Sequence, residues 1–422
     1  MSYYTSAIQT QIVDPQFNQS KYRSEFRITE DGLYTNSMRV CNLGVLATSE
    51  SAEEERAYNL ITGAGGVVRN IYLYDDKTVL DQVINYKDYG AFKNLQASNS
   101  DNMDVKKNLK KHGLGFVYNT ENPFTPATSI ITSLIKQYNP QTGGHIPTSS
   151  EDTTSASYLD LREIFPLLKS LDFLSTSVFP KLRVVLEYDV NNVLEYSSSN
   201  ADKPTATLTP ILVVDKVVDE AFISKWVSGF KGVSWNCVEN ETVILPALVS
   251  PPSSGVQSVK YRLNGFNNKT LGNLLMQKKA TVTGADLSAF YLNNSSVSMI
   301  NETMQVYING SALLPDSGVL TANQRLGLLV DTFGNMTMHP GANVPCFPGA
   351  DKSIEGFRSR VGELDYFGCS VGKQIKQLEV TFSRVYTAGI NAFYKQALEL
   401  QFFGTVAKSL IVGKGGYQII YV

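Results

Sequence analysis

The chain is poor in charged residues. Asp, Glu, Lys and Arg make up 18% of its 422 residues, below the roughly 25% that is typical of soluble domains. The formal net charge is −2, so no broad field draws the protein to nucleic acid or to an acidic membrane. The composition therefore argues against a function that depends on overall charge.

Cysteine is also scarce. The four cysteines are widely separated in the sequence: Cys41, Cys237, Cys346 and Cys369. They are too few and too scattered for a disulfide framework or a zinc site. We therefore expect free thiols in a protein that is made in a reducing compartment.

Long apolar runs are missing. No stretch approaches 18 consecutive apolar residues, so the sequence predicts no segment that spans a bilayer. The first twenty residues are polar and contain no apolar core of the kind found in signal peptides. We therefore expect a protein that is not secreted by a signal peptide.

What the chain does contain is alternation of apolar and polar residues with a period of two. Four stretches are clear and two are weaker: Leu182–Tyr188, Val259–Leu263, Leu378–Phe382 and Leu398–Phe402, then Ile71–Leu73 and Ile419–Tyr421. Successive side chains of a strand point to opposite faces, so this pattern is typical of antiparallel strands with one buried face. The sequence predicts an all-β protein of the sandwich type.

The length exceeds what one hydrophobic core usually supports, so two domains of roughly 200 residues are expected. We predict an N-terminal arm over residues 1–22, a first domain over 23–208 and a second over 209–422. The arm shows little periodicity. The polar segment Ser197–Thr207 has no apolar anchor, so we expect the boundary there or within about the next 20 residues.

Helices are expected only at the rim of the sandwiches. Apolar residues at helical spacing predict one or two helices over Thr78–Leu95 and a short helix over Leu161–Leu171, with Pro166 in its first turns. Asn309-Gly310, between two apolar runs, predicts a two-residue hairpin turn. Tyr (22) and Phe (20) are abundant, which fits either protein–protein interfaces or the ordinary preference of strands for aromatics.

No motif in the sequence indicates catalysis. Gly368-Cys369-Ser370-Val371-Gly372 matches the G-x-S-x-G pattern, but that motif needs a strand–turn–helix setting and a later histidine. The last histidine, His339, precedes Ser370. Gly63–Gly66 and Gly413–Gly416 lack the context for nucleotide binding and are interpreted as turns or bulges.

The sequence gives equally little indication of a metal site or of a functional charged patch. The histidines are far apart and none has metal-ligand spacing: His112, His145 and His339. The basic cluster Lys106–His112 is either a solvated face or a contact with an acidic partner, a lipid head group or packaged nucleic acid. Eight N-x-S/T sequons most simply reflect loops rich in Asn, Ser and Thr. We predict no catalytic, cofactor-binding or metal-binding residues.

Three segments carry a resemblance to a known family. Tyr158–Asp189 runs from Leu161-Arg162-Glu163-Ile164-Phe165-Pro166-Leu167-Leu168 through Phe179-Pro180-Lys181 into the strand Leu182–Tyr188. With Val68–Asn85 and Tyr261–Phe266, it resembles the double jelly-roll major capsid proteins. That lineage includes adenovirus hexon, the large icosahedral DNA viruses and virophages, and its Polinton-like and adintovirus-type members are most similar in size.

The resemblance implies two consecutive eight-stranded jelly-roll sandwiches with short rim helices. It also implies a homotrimer that tiles the icosahedral shell of a double-stranded DNA virus, made in the host cytoplasm or nucleus. Expected partners are further copies of the chain, penton and minor capsid proteins beneath the shell, and an internal membrane or packaged DNA. The alternative from another class is a receptor- or carbohydrate-binding β-sandwich protein, such as a spike, fibre or lectin-like module.

Overall fold

The structure is a computed structural model that describes residues 8–19, 22–41, 43, 56–58, 67–98, 158–189, 194–196, 208–247, 254–280, 302–314, 322–333, 366–387, 397–414 and 416–422. Strands dominate these residues, and all of the described strand pairs are antiparallel. The prediction of an all-β protein is confirmed.

Twelve strands belong to the first half of the chain. They are β1 (Ile8–Val13), β2 (Phe17–Gln19), β3 (Arg23–Arg27), β4 (Leu33–Cys41), β5 (Arg56–Tyr58), β6 (Val68–Asp75), β7 (Thr78–Val83), β8 (Tyr158–Asp160), β9 (Phe173–Ser175), β10 (Leu182–Tyr188), β11 (Leu194–Tyr196) and β12 (Ile211–Val217). One sheet has the order β1-β12-β4-β8, with β9 also on β4, and a second has the order β2-β3-β10-β6-β7. β5 and β11 form a separate two-stranded sheet.

Nine strands belong to the second half. They are β13 (Gly232–Leu245), β14 (Ser254–Arg262), β15 (Thr270–Ala280), β16 (Glu302–Ile308), β17 (Ser311–Ala312), β18 (Tyr366–Gln374), β19 (Leu378–Thr387), β20 (Leu398–Gly413) and β21 (Gly416–Tyr421). One sheet has the order β13-β20-β15-β18, with β21 also on β20, and the other has the order β14-β19-β16-β17.

The strand pairs of the second half are nested. When β13 to β20 are numbered one to eight, the first strand pairs with the eighth, the second with the seventh, the third with the sixth and the fourth with the fifth. The two sheets then have the orders 1-8-3-6 and 2-7-4-5. A long antiparallel hairpin rolled into two facing four-stranded sheets is a jelly roll.

The first half has the same topology. When β1, β3, β4, β6, β7, β8 with β9, β10 and β12 are numbered one to eight, the same four nested pairs result. The sheet orders are again 1-8-3-6 and 2-7-4-5, with β2 added at one edge. The two-jelly-roll architecture predicted from the sequence is therefore confirmed, and the two halves repeat in topology without any visible repeat in sequence.

Strand pairing moves both predicted boundaries of the first domain. The stretch assigned to an arm, 1–22, contains β1 and β2, and β1 is the first strand of the first jelly roll because it pairs along its whole length with β12. The boundary placed between 208 and 209 falls before β12, which pairs with β1 and β4 of the first jelly roll. The first jelly roll therefore begins at or before Ile8 and extends to Val217.

The prediction of helix over Thr78–Leu95 is wrong in its first third. Thr78–Val83 is β7, which pairs with β6 across a turn at Asp76, where φ is 51°. The helix α1 covers Tyr86–Ser98. Leu80, Asp81 and Val83 are all buried, so both faces of this strand are covered. Apolar residues can therefore occur on either face of β7, and their spacing resembles that of a helix.

The remaining described helices are short. The predicted helix over Leu161–Leu171 is split into α2 (Leu161–Ile164) and α3 (Pro166–Ser170), with Pro166 at the first position of α3, where its missing N–H costs nothing. α4 (Glu220–Gly229) links the two jelly rolls, and α5 (Ala322–Phe333) precedes β18. Asp219 caps α4 by accepting a hydrogen bond from the Phe222 amide.

The alternating segments form the sheets as predicted. In β10, Leu182, Val184, Leu186 and Tyr188 are buried, and the corresponding apolar residues of β19 and the start of β20 are also buried. Asn309-Gly310 forms the predicted hairpin turn between β16 and β17, with φ of 53° and 87° at the two residues.

Close packing in the second jelly roll requires a glycine in β20. A Cβ atom on Gly404 would collide with the side chains of Phe266 and Leu271, both fully buried in the core. Glycine at position 404 therefore allows the two side chains to approach the backbone of the central strand.

Candidate functional site: the contact between the two jelly rolls

The G-x-S-x-G match lies within a strand. Residues 368–372 belong to β18, and the Ser370 hydroxyl donates a hydrogen bond to Asn273 Oδ1 of the neighbouring strand at 3.2 Å. The strand continues to Gln374 instead of turning into a helix. This setting differs from the strand–turn–helix that activates a nucleophilic serine.

The other glycine-rich segment in the described chain forms a turn. Gly413 pairs with Gly416 at the end of the β20–β21 hairpin, which agrees with the prediction of a turn at these two glycines. Several sequence features lie outside the described residues: Gly63–Gly66, Lys106–His112, His145, His339, Cys346 and the segment Ser197–Thr207.

The described residues contain no group of three or more His, Cys, Asp or Glu side chains that is placed to hold a metal ion. Within the same ranges, none of the helices has both the length and the apolar character needed to cross a bilayer.

The cysteines of the described chain are free thiols, as predicted: Cys41, Cys237 and Cys369. Burial raises the pKa of Cys237 and of Cys369 to about 12. Because the thiolate is the reactive form, both sulfurs are poor nucleophiles near neutral pH. Their positions in β13 and β18 give them a role in packing.

The two jelly rolls meet through β13, the first strand of the second jelly roll. β13 lies against β7 and α3 of the first jelly roll. Cys237 belongs to the core cluster, so the next side chain, Val238, points out of the second jelly roll. Val238 is nevertheless only 4% exposed, and Asn240, on the same face, accepts a hydrogen bond from Asn85 Nδ2 at 3.0 Å. The first jelly roll therefore covers the middle of the outer face of β13, whereas Ile244 near the end of the strand is 52% exposed.

Aromatic side chains of α1 extend this contact. Tyr89 packs on Phe403 of β20 with ring centroids 5.4 Å apart. Phe92 meets Phe333 of α5 edge to face at 5.1 Å. Such pairs contribute roughly 0.5–1.5 kcal/mol each beyond the area that they bury. Helix α1 therefore joins the first jelly roll to both a strand and a helix of the second.

The C-terminal hairpin reaches back to the first jelly roll. Tyr417 of β21 packs edge to face on Phe179 at 5.2 Å, and its hydroxyl donates to Asp75 Oδ2 at 2.9 Å. The other oxygen of Asp75 accepts from the Lys181 amide at 2.7 Å. Asp75 therefore holds together two segments of the first jelly roll and one strand of the second.

A fully buried carboxylate lies at the centre of the contact. Asp81 of β7 has no exposed surface. Its Oδ2 accepts from the Leu167 amide at 2.9 Å, and its Oδ1 accepts from the Gln82 amide at 2.9 Å. Because Phe165 offers no side-chain cap to α3, Asp81 satisfies an N–H at the start of this helix from a distant strand. Burial raises the pKa of Asp81 to about 7, although the two amides and the charge of Lys408 act in the opposite direction.

Next to Asp81, a charged cluster fills the end of the second jelly roll. Glu239 accepts hydrogen bonds from Lys269 and from the Tyr421 hydroxyl, the latter at 2.8 Å, and lies 3.5 Å from the Lys408 ammonium. Both lysines lie over the Tyr421 ring, at 4.7 and 4.8 Å from its centroid. Burial alone would raise the pKa of Glu239, but these hydrogen bonds and charges hold it below its usual value.

These interactions make the two jelly rolls one packed unit, because their buried apolar residues form a single continuous cluster. Sequence analysis identified none of this contact. The groups that bind the side chains of Asp81 and Glu239 are far away in the sequence. In addition, an acidic residue in a predicted strand is normally interpreted as facing solvent.

Comparison with solved structures gives matches along the whole chain. The structure of PBCV-1 VP54 fitted into a cryo-EM reconstruction of the virophage Sputnik matches with a TM-score of 0.54 and 10% identity, over 100% of this chain and 99% of that chain. The mavirus major capsid protein matches with 0.53 and 10%, over 100% and 91%. The Faustovirus major capsid protein matches with 0.53 and 8%, over 98% and 92%.

Comparisons by sequence gave no matches. No protein-family model matches the chain, and no curated protein matches it. The similarity therefore concerns the fold alone. The chain has the double jelly-roll fold, and the solved structures that share this fold along its length include major capsid proteins such as those of mavirus and Faustovirus.

Proposed function

We propose that the chain is the major capsid subunit of a double-stranded DNA virus. The observation that carries the proposal is the end-to-end match to solved structures, two of them described as major capsid proteins, with TM-scores above 0.5. Each match covers both jelly rolls and more than nine tenths of either chain. The proposed role is structural and involves no catalysis.

The proposed assembly is a homotrimer. Three chains with two jelly rolls each would place six similar bodies around one axis, which gives a capsomer with a pseudo-hexagonal outline. Closed threefold symmetry needs contacts between two different patches of each chain. A chain whose own two jelly rolls are firmly joined supplies rigid building blocks for such a ring.

The proposed partners follow from this role. They are neighbouring capsomers, penton proteins and minor capsid proteins, with an internal membrane or packaged DNA beneath the shell. The proposed location is the capsid of the virion, after synthesis in the host cytoplasm or nucleus.

Light scattering coupled to size-exclusion chromatography tests the proposal. The purified chain is expected to elute as a trimer of about three times 46.5 kDa, and negative-stain images are expected to show pseudo-hexagonal particles. A monomer that binds glycans on an array would instead support the receptor- or carbohydrate-binding alternative and would refute the capsid assignment.

A further inference from the structure

Three short turns close one end of the second jelly roll. With the strand residues beside them, they form what we call the turn surface: residues 262–270 between β14 and β15, 309–310 between β16 and β17, and 372–377 between β18 and β19. The Asn309 side chain accepts hydrogen bonds from the amides of Lys376 and Gln377, at 2.7 and 3.1 Å. The Asn268 amide donates to the Ile375 carbonyl at 2.7 Å. The three turns are therefore bonded to one another and present one continuous surface.

The turn surface carries an excess of positive charge. Its three segments contain no Asp or Glu. Three of its basic side chains are exposed and, within the described residues, none of them forms an ion pair: Arg262, Lys373 and Lys376. Two acids close to the surface are already bonded to other lysines, Glu239 to Lys269 at 2.5 Å and Glu379 to Lys260 at 2.6 Å. The three exposed cations are therefore free to meet an external anion.

The equivalent end of the first jelly roll neutralises its own charges. The corresponding hairpin turn, between β6 and β7, contains Asp75 and Asp76. One Asp75 oxygen accepts from the Lys181 amide at 2.7 Å, as Asn309 does from the amides of its own turn surface. The Lys181 ammonium then lies 3.4 Å from Asp76. The same arrangement of turns therefore forms without an excess of lysine, so the topology does not require the positive charge of the second jelly roll.

Besides its cations, the turn surface presents side-chain amides. Asn264, Asn268 and Gln374 are exposed, whereas the large apolar side chains of the same turns, Phe266 and Ile375, are fully buried. Segments that lie on a membrane bury apolar side chains among the lipid head groups. Lys, Arg, Asn and Gln side chains, by contrast, bond the phosphate and sugar groups of nucleic acids. The chemistry of the turn surface therefore favours nucleic acid over a lipid surface.

We infer that the turn surface binds the phosphate backbone of double-stranded DNA packaged inside the shell. The inference rests on the proposed capsid function, because packaged DNA is the polyanion that such a shell encloses. The net charge of −2 does not oppose it, since the positive charge is local. Backbone contacts of this kind are independent of base sequence. The inference also makes this end of the second jelly roll the inner end of the capsomer.

Substitution of two lysines tests the turn surface in the full chain. Fluorescence anisotropy measures the binding of short labelled DNA duplexes over a series of salt concentrations. The wild type is expected to bind duplexes of different sequence equally, and more weakly as the salt concentration rises. Each phosphate contact contributes about 0.9 to the slope of log affinity against log salt concentration. Lys373→Gln, Lys376→Gln is therefore expected to weaken binding and to reduce this slope by about 2 for each chain that contacts the duplex.

A matched double variant of the first jelly roll is the control. Lys77→Gln, Lys181→Gln makes the same change of charge at the equivalent end, where both lysines neighbour Asp76. It is expected to keep the wild-type slope, and circular dichroism shows whether each variant has folded. Equal slopes for the two double variants, or a wild type that binds no duplex at low salt, would overturn the inference. Binding to phosphatidylserine vesicles but not to duplexes would also overturn it.

Light scattering on the same samples separates the inference from the function on which it rests. A trimeric wild type that fails to bind duplexes refutes the inference alone. A wild type that stays monomeric at every concentration refutes the proposed capsomer and, with it, packaged DNA as the partner. A trimer whose salt slope falls only in Lys373→Gln, Lys376→Gln supports both.

Discussion

The buried carboxylate between the jelly rolls makes stability depend on pH in an unusual direction. The pKa of Asp81 is raised from 3.8 to about 7. The folded chain therefore binds a proton that the unfolded chain has released, across the range between these two values. The stability that this proton provides is complete below about pH 4 and is lost as the pH rises to about 7. Most buried acids that are paired or hydrogen-bonded act in the opposite direction.

The size of the effect follows from the shift. Each pKa unit corresponds to about 1.4 kcal/mol, so a shift of roughly three units corresponds to on the order of 4 kcal/mol. Glu239 opposes it, because its lowered pKa removes stability as the pH falls. The charges near Asp81 also include Lys408. The contribution of Asp81 must therefore be isolated by a variant instead of being read from the wild type alone.

Asp81→Asn isolates this contribution. Denaturant unfolding is measured at fixed protein concentration from about pH 4 to about pH 8 for the wild type and the variant. We compare the free energy of unfolding of the variant with that of the wild type at each pH. From about pH 4 to about pH 8, the wild type is expected to lose on the order of 4 kcal/mol relative to the variant, because only the wild type must keep or lose the proton of Asp81. Asp76→Asn is the control, because Asp76 is an exposed acid of the same β6–β7 hairpin. Parallel pH profiles for Asp81→Asn and the wild type would refute the reasoning.

Two further predictions concern packing and the hairpin. Gly404→Ala places a methyl group against two core side chains and is expected to cost about 1–3 kcal/mol in chemical unfolding, whereas Gly413→Ala, with open space around it, should have little effect; equal costs would contradict the packing argument. Tyr417→Phe removes the hydrogen bond to Asp75 and is expected to lower the free energy of unfolding by about 1 kcal/mol. Tyr22→Phe, at a residue 64% exposed, serves as its control, and an unchanged midpoint for Tyr417→Phe would show that the hydroxyl contributes nothing.

The strands that sequence analysis found share one property. Leu182–Tyr188 and Leu378–Phe382 each have one face in the core and one that is more exposed. Because only one face is buried, apolar and polar residues alternate along these strands with a period of two. The Asn309-Gly310 turn was also predictable, because two consecutive positive φ angles favour these residues. Local chemistry alone determines such features.

The strands that were missed lack that property for opposite reasons. β1 is an edge strand whose Gln9, Thr10 and Ile12 are all exposed, so burial imposes no alternation on it. β7 is covered on both faces, and its apolar residues therefore follow no period of two. The predicted start of the first jelly roll failed for the same reason, since its first strand is β1.

The contact between the jelly rolls was invisible in the sequence because its chemistry depends on pairs that are far apart. The Asn85 side-chain amide donates to Asn240, and the Tyr417 hydroxyl donates to Asp75 across most of the chain. Neither partner has a local signature. Topology could be predicted from periodicity, but the polar contacts that fix one jelly roll on the other could not.

The groups at the contact between the two jelly rolls suit a permanent association. Asp81 has no exposed surface, and Lys408 and Glu239 form an ion pair close by. Exposing such groups and burying them again would require large changes in hydration, which suits a contact that forms once, when the chain folds.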